Sequence, residues 1–381
     1  MPAPSLRVRR ADIAHDVDFG EDVVIEADEL EVGPGTRIGW SGPDDFRTPP
    51  GVRIRARRVI LGPGVQIGRS VRIEGGEIRL DAGVRVLRHS TIRVLDELEI
   101  GSSGTVGEHA EISGRRVRIG QELWMLPHAK IGGGSALENA SRLDAGHYLH
   151  LGTQTLVNTA RPVVIGHEVG LGTRTSIYTH GAYPSRLMGF PVAFDGVEVG
   201  DFSWVPGAII NPGVRIGRNC VIGVNSLVTS SIPDGALAAG SPAKVIREGA
   251  YPRPLSDEAR LAFFEGFLRE YAGVLGTGAQ PRAIEGRGIV LETPEASYLF
   301  GSPDTDAARV LAIRGDARDG PIEGWTVFDT ETRRIRGTAD QLADRFANEL
   351  RRYGIRFYSR GESGRYVDWE RQVPRFVAAE D

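Results

Sequence analysis

Histidine is the residue type in this sequence with the clearest capacity for acid–base chemistry. His180 follows the aliphatic residue Ile177 by three positions and opens a stretch, 178–198, in which an otherwise regular aliphatic spacing is lost. An imidazole with an ordinary pKa of about 6.5 is largely neutral at pH 7 and can accept a proton. His180 is therefore a candidate general base, and the alternative is a solvent-exposed loop histidine without a chemical role.

The other candidates for metal or nucleophile chemistry are three histidines and one cysteine. His147 and His150 are separated by two residues, and His167 lies one repeat further along, so a metal site has to be considered. Cys220 is the single cysteine, which excludes an internal disulfide and a cysteine-rich metal site. Its place among aliphatic residues predicts a buried side chain with no reactive role.

A six-residue repeat must position these side chains. Aliphatic residues recur six apart in successive triplets, and one or two extra residues follow each triplet. A period of six fits neither an amphipathic helix nor a simple alternating strand. It predicts a triangular coil in which each hexad forms one side, its aliphatic residue points inward, and rungs stack at the strand spacing of about 4.8 Å. The triplets are Leu61, Ile67 and Ile73; Leu80, Val86 and Ile92; Ile100, Val106 and Ile112; and Ile119, Met125 and Ile131.

The repeats are clearest from Leu151 to Val228 and weaker in residues 1–60. Three segments break the pattern, and we expect them to project from the coil as loops, where functional residues concentrate. They are residues 42–51, 132–150 and 178–198.

Residues 251–381 have a different pattern and predict a separate, small α+β domain after a coil domain of residues 1–250. Helical spacing predicts helices over about 255–275 and 338–353, with Gly354 as a C-cap. Short strands are expected near 288–300, 307–314 and 324–330, and extended chain at 355–358 and 366–369. The pattern suggests no function for this domain.

The segment from Val163 to Glu248 resembles the hexapeptide-repeat acyltransferases of the galactoside, maltose and antibiotic acetyltransferase type. The matching strings are IYTH (177–180), VGDFSWVPGAIINPGVRIGRNCVIGVNSLV (199–228) and GSPAKVIRE (240–248). The resemblance implies a mainly β fold, a left-handed parallel β-helix, and a homotrimer with clefts between subunits. It also implies acyl transfer from acetyl-coenzyme A, without a metal, to a small-molecule or saccharide acceptor.

Carried over residue by residue, the resemblance makes His180 the base that deprotonates the acceptor. Asn158 occupies the place of an acceptor-binding asparagine, although an asparagine at a left-handed corner is equally compatible with its position. Arg186, Met188 and Phe190 lie in the loop that should line the acceptor pocket. The positions matching the coenzyme A site are Gly207, Ala208, Val224, Thr229, Ser230, Lys244 and Arg247.

Composition narrows the function classes further. The formal net charge of −4 argues against nucleic-acid binding, and neither a signal-like N-terminus nor an 18-residue apolar run occurs, so a cytoplasmic protein without membrane insertion is expected. Two alternatives to the acyltransferase remain at this point. One is a non-catalytic β-helix scaffold, and the other is a zinc enzyme like the γ-type carbonic anhydrases, although the spacing of His147, His150 and His167 differs from that family's pattern.

Overall fold

A computed structural model of the chain describes residues 4–40, 49, 51–284, 288–301, 310–314, 326–330, 333, 335–336 and 341–357. The chain divides into two compact units, residues 1–252 and residues 253–381. Within the described ranges, neither helix is long and apolar enough to cross a membrane. The predicted loop 42–51 and the predicted extended segment 366–369 fall largely or wholly outside the described residues.

The first unit is a coil of stacked rungs of parallel strands. Rungs 1 to 6 each combine one long strand with one short strand, and each long strand pairs with the long strands of the rungs before and after it. The strands are β1 (Ser5–Ile13) and β2 (Asp18–Phe19); β3 (Val23–Val32) and β4 (Arg37–Trp40); β5 (Val52–Leu61) and β6 (Gln66–Gly68); β7 (Val71–Leu80) and β8 (Arg85–Val86); β9 (Thr91–Ile100) and β10 (Thr105–Val106); and β11 (Glu111–Ile119) and β12 (Trp124–Met125).

Rungs 7 to 10 each have three short sides, and rung 11 ends the coil with an antiparallel pair. The strands are β13 (Lys130–Ile131), β14 (Arg142–Ala145) and β15 (His150–Leu151) in rung 7; β16 (Leu156–Val157), β17 (Val163–Ile165) and β18 (Gly170–Leu171) in rung 8; β19 (Ser176–Ile177), a loop hairpin of β20 (His180–Gly181) and β21 (Ala193–Phe194), β22 (Val197–Val199) and β23 (Trp204–Val205) in rung 9; β24 (Ile209–Ile210), β25 (Arg215–Ile216) and β26 (Val221–Ile222) in rung 10; and β27 (Leu227–Val228), β28 (Leu237–Gly240) and β29 (Ala243–Arg247) in rung 11.

The aliphatic triplets of the repeat point inward and are buried, from Leu61, Ile67 and Ile73 through to Ile131. The mainly β, parallel coil predicted from the period of six is therefore confirmed. No single rung can bury its own aliphatic side chains, so the stack is the stable unit.

Three edges run along the coil where its sides meet, and they locate every residue discussed below. The first edge passes from the middle of the long strands, at Ala56 and Val94, to the corners after β13, β16 and β19. The second edge joins the second side (β14, β17 and β22) to the third side (β15, β18 and β23), at Gly146 and Gly166. The third edge joins the third side to the first side of the next rung (β16, β19 and β24), at Gly207.

The N-terminal rungs depart from three equal sides. Each long strand continues around the first edge, so one strand covers two sides of the triangle, and the register of β9 with both of its neighbours shifts there. Full rungs begin at β1, although the hexads are weak in residues 1–60. The two C-terminal breaks in the repeat are also shorter than predicted, because β14 returns to the coil at Arg142 and β22 at Val197, leaving loops 132–141 and 178–196.

The second unit is an antiparallel meander of six strands with two helices. Helix α1 (Asp257–Val274) begins at the N-cap Ser256, whose hydroxyl accepts the N–H of Ala259, and α2 (Gln341–Arg352) is followed by Gly354 in the left-handed region. Aromatic side chains of both helices and of the sheet share one core, including Phe264, Tyr298 and Phe346. The strands are β30 (Arg282–Ile284), β31 (Gly288–Glu292), β32 (Ser297–Gly301), β33 (Val310–Arg314), β34 (Thr326–Asp329) and β35 (Ile335–Arg336).

Candidate active site

The first edge brings two loops together around one asparagine. Asn158 follows β16 in rung 8, while loop 132–141 leaves rung 7 and loop 178–196 leaves rung 9 at the same edge. Because these rungs are adjacent in the stack, the two loops flank Asn158 on either side. The structure therefore places the predicted residues Asn158 and His180 in direct contact.

Asn158 is buried, with 3% of its surface exposed, and both ends of its amide are engaged. Nδ2 donates to the carbonyl oxygens of Gly132 (3.4 Å) and Gly134 (3.2 Å). Oδ1 accepts from the Thr179 hydroxyl (2.6 Å) and from the Ala160 N–H (3.2 Å), which fixes this atom as the oxygen.

His180 is held by that same oxygen. Its Nδ1 lies 3.0 Å from Asn158 Oδ1, and because a carbonyl oxygen can only accept, Nδ1 carries the proton in this arrangement. The unprotonated nitrogen is then Nε2. A Cβ added at Gly134 would lie 3.5 Å from His180 Nε2, so Nε2 faces the backbone of loop 132–141 at a residue without a side chain.

An aromatic stack covers the other side of the imidazole. The Phe194 ring lies 5.8 Å from the His180 ring at an interplanar angle of 15°, and the Arg161 guanidinium lies 4.8 Å from the Phe194 centroid. Arg161 also forms an ion pair of 3.5 Å with Glu138 of the opposite loop. Arg161 thus contacts both loops from its own position on the coil.

The residues predicted to bind coenzyme A do not form one cluster. Gly207, Ala208 and Val224 lie on the third edge, where Gly207 has φ 55° and its N–H donates to the Thr175 hydroxyl. The Ala208 side chain is fully buried, so only its backbone can face a ligand, whereas Val224 is exposed.

The remaining predicted positions lie around rung 11. Thr229 and Ser230 are exposed and follow β27, at the opposite edge of the first side from Val224. Lys244 and Arg247 are exposed on β29, and neither forms an ion pair with any described residue. Two free cations at the end of the coil are suitable partners for phosphate groups.

The second edge uses its histidines as structural acceptors. His147 Nδ1 accepts the N–H of Gln121 (2.9 Å), and His167 Nδ1 accepts the N–H of His147 (3.0 Å). Burial lowers the pKa of His167, against the opposing effects of Asp201 and Glu168. These nitrogens are occupied by backbone donors, and the described residues contain no group of three or more potential metal ligands in a suitable arrangement.

Sequence reasoning missed Thr179, Gly134, Phe194 and Arg161. Thr179 is adjacent to His180 in sequence, but Phe194, Gly134 and Arg161 reach the site only through the fold. Alignment of the two loops by rung could have indicated Gly134, because it lies three residues after Ile131 of β13, as His180 lies three residues after Ile177 of β19.

Comparison with known proteins then decides the family. The chain is 31% identical over 152 residues to a putative acetyltransferase of Schizosaccharomyces pombe, a match covering 36% of this chain and 70% of that protein. It is 31% identical over 132 residues to the galactoside O-acetyltransferase of Escherichia coli, covering 34% of this chain and 63% of that protein. The chain belongs to the hexapeptide-repeat acyltransferases.

Other comparisons add less to this assignment. A hexapeptide-repeat acetyltransferase from Vibrio cholerae, solved with acetyl-coenzyme A, is 22% identical, covers 39% of this chain and 70% of that one, and superposes with a TM-score of 0.27. No family model matches the chain. The chain spans between 45% and 70% of the length of the curated relatives it matches.

Proposed function

We propose that this acyltransferase moves an acetyl group from acetyl-coenzyme A to a hydroxyl group of a saccharide-type acceptor, with His180 as general base. The observation that carries the proposal is the 3.0 Å contact between His180 Nδ1 and the buried Asn158 Oδ1. It supports the tautomer in which Nε2 is free to take a proton. The galactoside named for the Escherichia coli relative supports a sugar hydroxyl as the acceptor group.

The chemical steps follow from that tautomer. An acceptor hydroxyl donates its hydrogen bond to His180 Nε2, which takes the proton as the oxygen attacks the thioester carbonyl carbon. The C–O bond forms, the C–S bond breaks, and the proton on Nε2 passes to the departing thiolate of coenzyme A. During these steps Asn158 Oδ1 stabilises the imidazolium, because it already accepts from Nδ1.

In this proposal Asn158 positions the base rather than binding the acceptor. Its amide is buried and already makes hydrogen bonds at both ends, so little of it remains for a sugar hydroxyl. The predicted acceptor contact of Asn158 stays a prediction, which an acceptor complex would test.

The coenzyme A residues support a donor site on the third edge. Gly207 and Ala208 present backbone without an exposed side chain, which suits the amide-bearing pantetheine arm, and Lys244 and Arg247 are free to meet phosphates. Coenzyme A is a cytosolic metabolite, so this donor supports the predicted cytoplasmic location.

The distance between the proposed coenzyme A site at the third edge and His180 at the first edge of one chain supports a homotrimer. Gly207 and His180 lie at opposite edges of the first side: Gly207 precedes Ile210 by three residues and His180 follows its partner Ile177 by three, so about 20 Å of extended chain separates them. A second copy whose third edge meets the first edge of this one would bring donor and base together. Loop 178–196 is suited to that contact, because its large apolar side chains Tyr183 and Leu187 are 99% and 96% exposed in one chain.

The test is substitution of the base. His180→Ala should lower kcat for acetyl transfer to a galactoside by at least about a hundredfold, the usual contribution of a general base, while coenzyme A binding by calorimetry is kept. His128→Ala is the matched control, since His128 is an exposed histidine at the third edge of the same coil. Full turnover by His180→Ala would refute the assigned role. Absence of coenzyme A binding in both variants and in the native chain would refute the transfer reaction itself.

A further inference from the structure

The first edge continues toward the N-terminus as an open groove that the proposed reaction does not use. The groove has a volume of about 840 Å³ and crosses β1, β3, β5, β7 and β9. Its floor is the in-register column Val8, Ala27, Ala56, Gly75 and Val94, in the middle of the long strands. Side chains on either side of this column form two walls.

The walls carry more positive than negative charge. One wall alternates in register as Arg7, Glu26, Arg55, Glu74 and Arg93, and the other contains Arg9, Asp28 and Arg57 before the exposed Leu95. Five arginines thus face three carboxylates, although the whole chain has a net charge of −4. The groove is a locally positive surface on an acidic protein.

Two of these arginines lack a partner within the described residues. Arg7 and Arg55 contact Glu26 at 2.8 and 3.8 Å, and Arg9 contacts Asp28 at 3.2 Å. Arg57 and Arg93 are exposed and form no ion pair or hydrogen bond with any described residue. They lie on opposite walls and two rungs apart, so about 10 Å separates their Cα atoms along the axis of the stack.

A second, smaller depression lies between this groove and the candidate active site along the first edge. It has a volume of about 260 Å³ and is lined by residues of rungs 5 to 8, including Asp96, Arg115, Asn139 and Pro162. Asn139 belongs to loop 132–141, whose Gly134 faces His180. The first edge therefore carries two polar depressions in succession over rungs 1 to 8, and the loop that lines the second one also contacts the candidate base.

We propose that the first edge binds an anionic oligosaccharide, a sugar chain bearing carboxylates, along rungs 1 to 5, and so presents a distant hydroxyl of the same chain to His180. This proposal rests on the proposed function for the reaction but not for the binding. The path from Arg93 to His180 covers four rungs, about 19 Å, which a monosaccharide cannot span. Arg57 and Arg93 bind successive carboxylates through bidentate hydrogen bonds, and the carboxylates of the wall accept from sugar hydroxyls.

The chemistry of the groove favours a sugar chain over an acidic peptide. Among the described strands under the groove only β1 has an unpaired side, so a peptide could add a strand at the first rung but not along the length of the groove. The walls alternate donors and acceptors, and the one large exposed apolar side chain is Leu95. The hydroxyl groups of a sugar chain can donate to Glu26, Asp28 and Glu74 and accept from the arginines, whereas the carboxylate side chains of an acidic peptide can only accept.

The binding test uses oligogalacturonate of defined length with the full chain carrying His180→Ala, so that no turnover occurs. At low salt we expect a galacturonate hexamer to bind, and Arg57→Gln with Arg93→Gln to weaken binding about tenfold or more. The matched control is Arg72→Gln with Arg79→Gln, which removes the same charge from β7 outside the groove. An equal loss in both double variants, or equal binding of a neutral maltohexaose, would overturn the proposal, and tighter binding of poly-glutamate would replace the sugar by a peptide.

The turnover test links the groove to the base. The native chain should acetylate the hexamer with a higher kcat/KM than the dimer, and Arg57→Gln with Arg93→Gln should remove that preference while leaving turnover of a small neutral galactoside unchanged. A preference for length that survives the double variant would contradict the proposed path. Hexamer binding without acetyl transfer in the native chain would refute the proposed reaction but leave the groove as a carbohydrate site.

Discussion

At the scale of single residues, the absence of a side chain at Gly134 keeps His180 Nε2 accessible. A Cβ at this position would lie 3.5 Å from Nε2 and 3.6 Å from Cε1, which is ordinary van der Waals contact, and the Gly134 backbone is not in the left-handed region. Gly134→Ala should therefore fold normally. It should lower kcat/KM for the acceptor about tenfold or more, because the acceptor oxygen must approach Nε2 to about 3 Å through the same space.

The control for that variant is Gly181→Ala, beside His180 in sequence, where an added Cβ meets nothing within 4 Å. We expect Gly181→Ala to keep the native kcat/KM, and both variants to keep the native thermal midpoint. Native acceptor kinetics in Gly134→Ala would mean that the acceptor approaches Nε2 from another direction.

The sequence predicts His180 and Asn158 as site residues but not their contact with each other and with Thr179. His180 is visible because it breaks a regular repeat, and the break is a one-dimensional signal. The contact of Asn158 with Thr179 and His180 depends on which corner of rung 8 lies under which corner of rung 9. That stacking depends on the number of extra residues in every preceding corner, which the hexad pattern leaves ambiguous.

At the scale of elements, Arg161 joins the two loops of the candidate site. Its guanidinium lies over Phe194 at 4.8 Å and pairs with Glu138 at 3.5 Å. Cation–π contacts at partly exposed sites contribute about 0.5–1 kcal/mol. Arg161→Gln should therefore raise hydrogen-exchange rates in loop 178–196 by about two- to fivefold, with unchanged exchange in the strands of rung 10.

The comparison variant is Arg174→Gln, which removes an arginine from the third edge of the same part of the coil, away from both loops. Exchange in loop 178–196 should stay native in that variant. Unchanged exchange in Arg161→Gln would show that the hairpin of β20 and β21 holds the loop without Arg161.

The elements themselves divide into those the repeat predicts and those it cannot. Glycine after an inward aliphatic residue, as at Gly166, marks a corner where rungs approach so closely that a Cβ would lie 2.6 Å from the Asp201 nitrogen. That signal located rungs 8 to 10 correctly. The long strands of rungs 1 to 6 were not predicted, because the hexads mark the inward residues and not whether the chain between two sides stays extended, as it does around Ala56 and Gly75.

At the scale of the whole molecule, the coil is held together along its second edge by side chains that accept backbone N–H groups from the rung before. His147 and His167 do so through Nδ1, while Asp201 and Asp234 do so through Oδ1, accepting from His167 and Arg218 at 2.7 and 2.9 Å. A protonated imidazole has no free acceptor nitrogen. Protonation of His167 should therefore remove one of the acceptors that hold this edge together.

The consequence is a specific dependence of stability on pH. Burial lowers the pKa of His167, so the unfolded chain binds a proton more readily than the folded chain. The free energy of unfolding should be level above the unfolded pKa of about 6.5 and should fall below it, by up to about 1.4 kcal/mol per pH unit, until the folded pKa is reached. His167→Asn keeps an acceptor like that of Asp201 but does not titrate. In this variant the free energy of unfolding in urea should differ less between pH 5.5 and pH 7.5 than in the native chain.

The control is His128→Asn, at an exposed corner where asparagine tolerates the left-handed backbone. It should show the same difference in the free energy of unfolding between the two pH values as the native chain. If His167→Asn has the same acid dependence as the native chain, another group must control the loss of stability, and the second edge does not limit the acid stability of the coil.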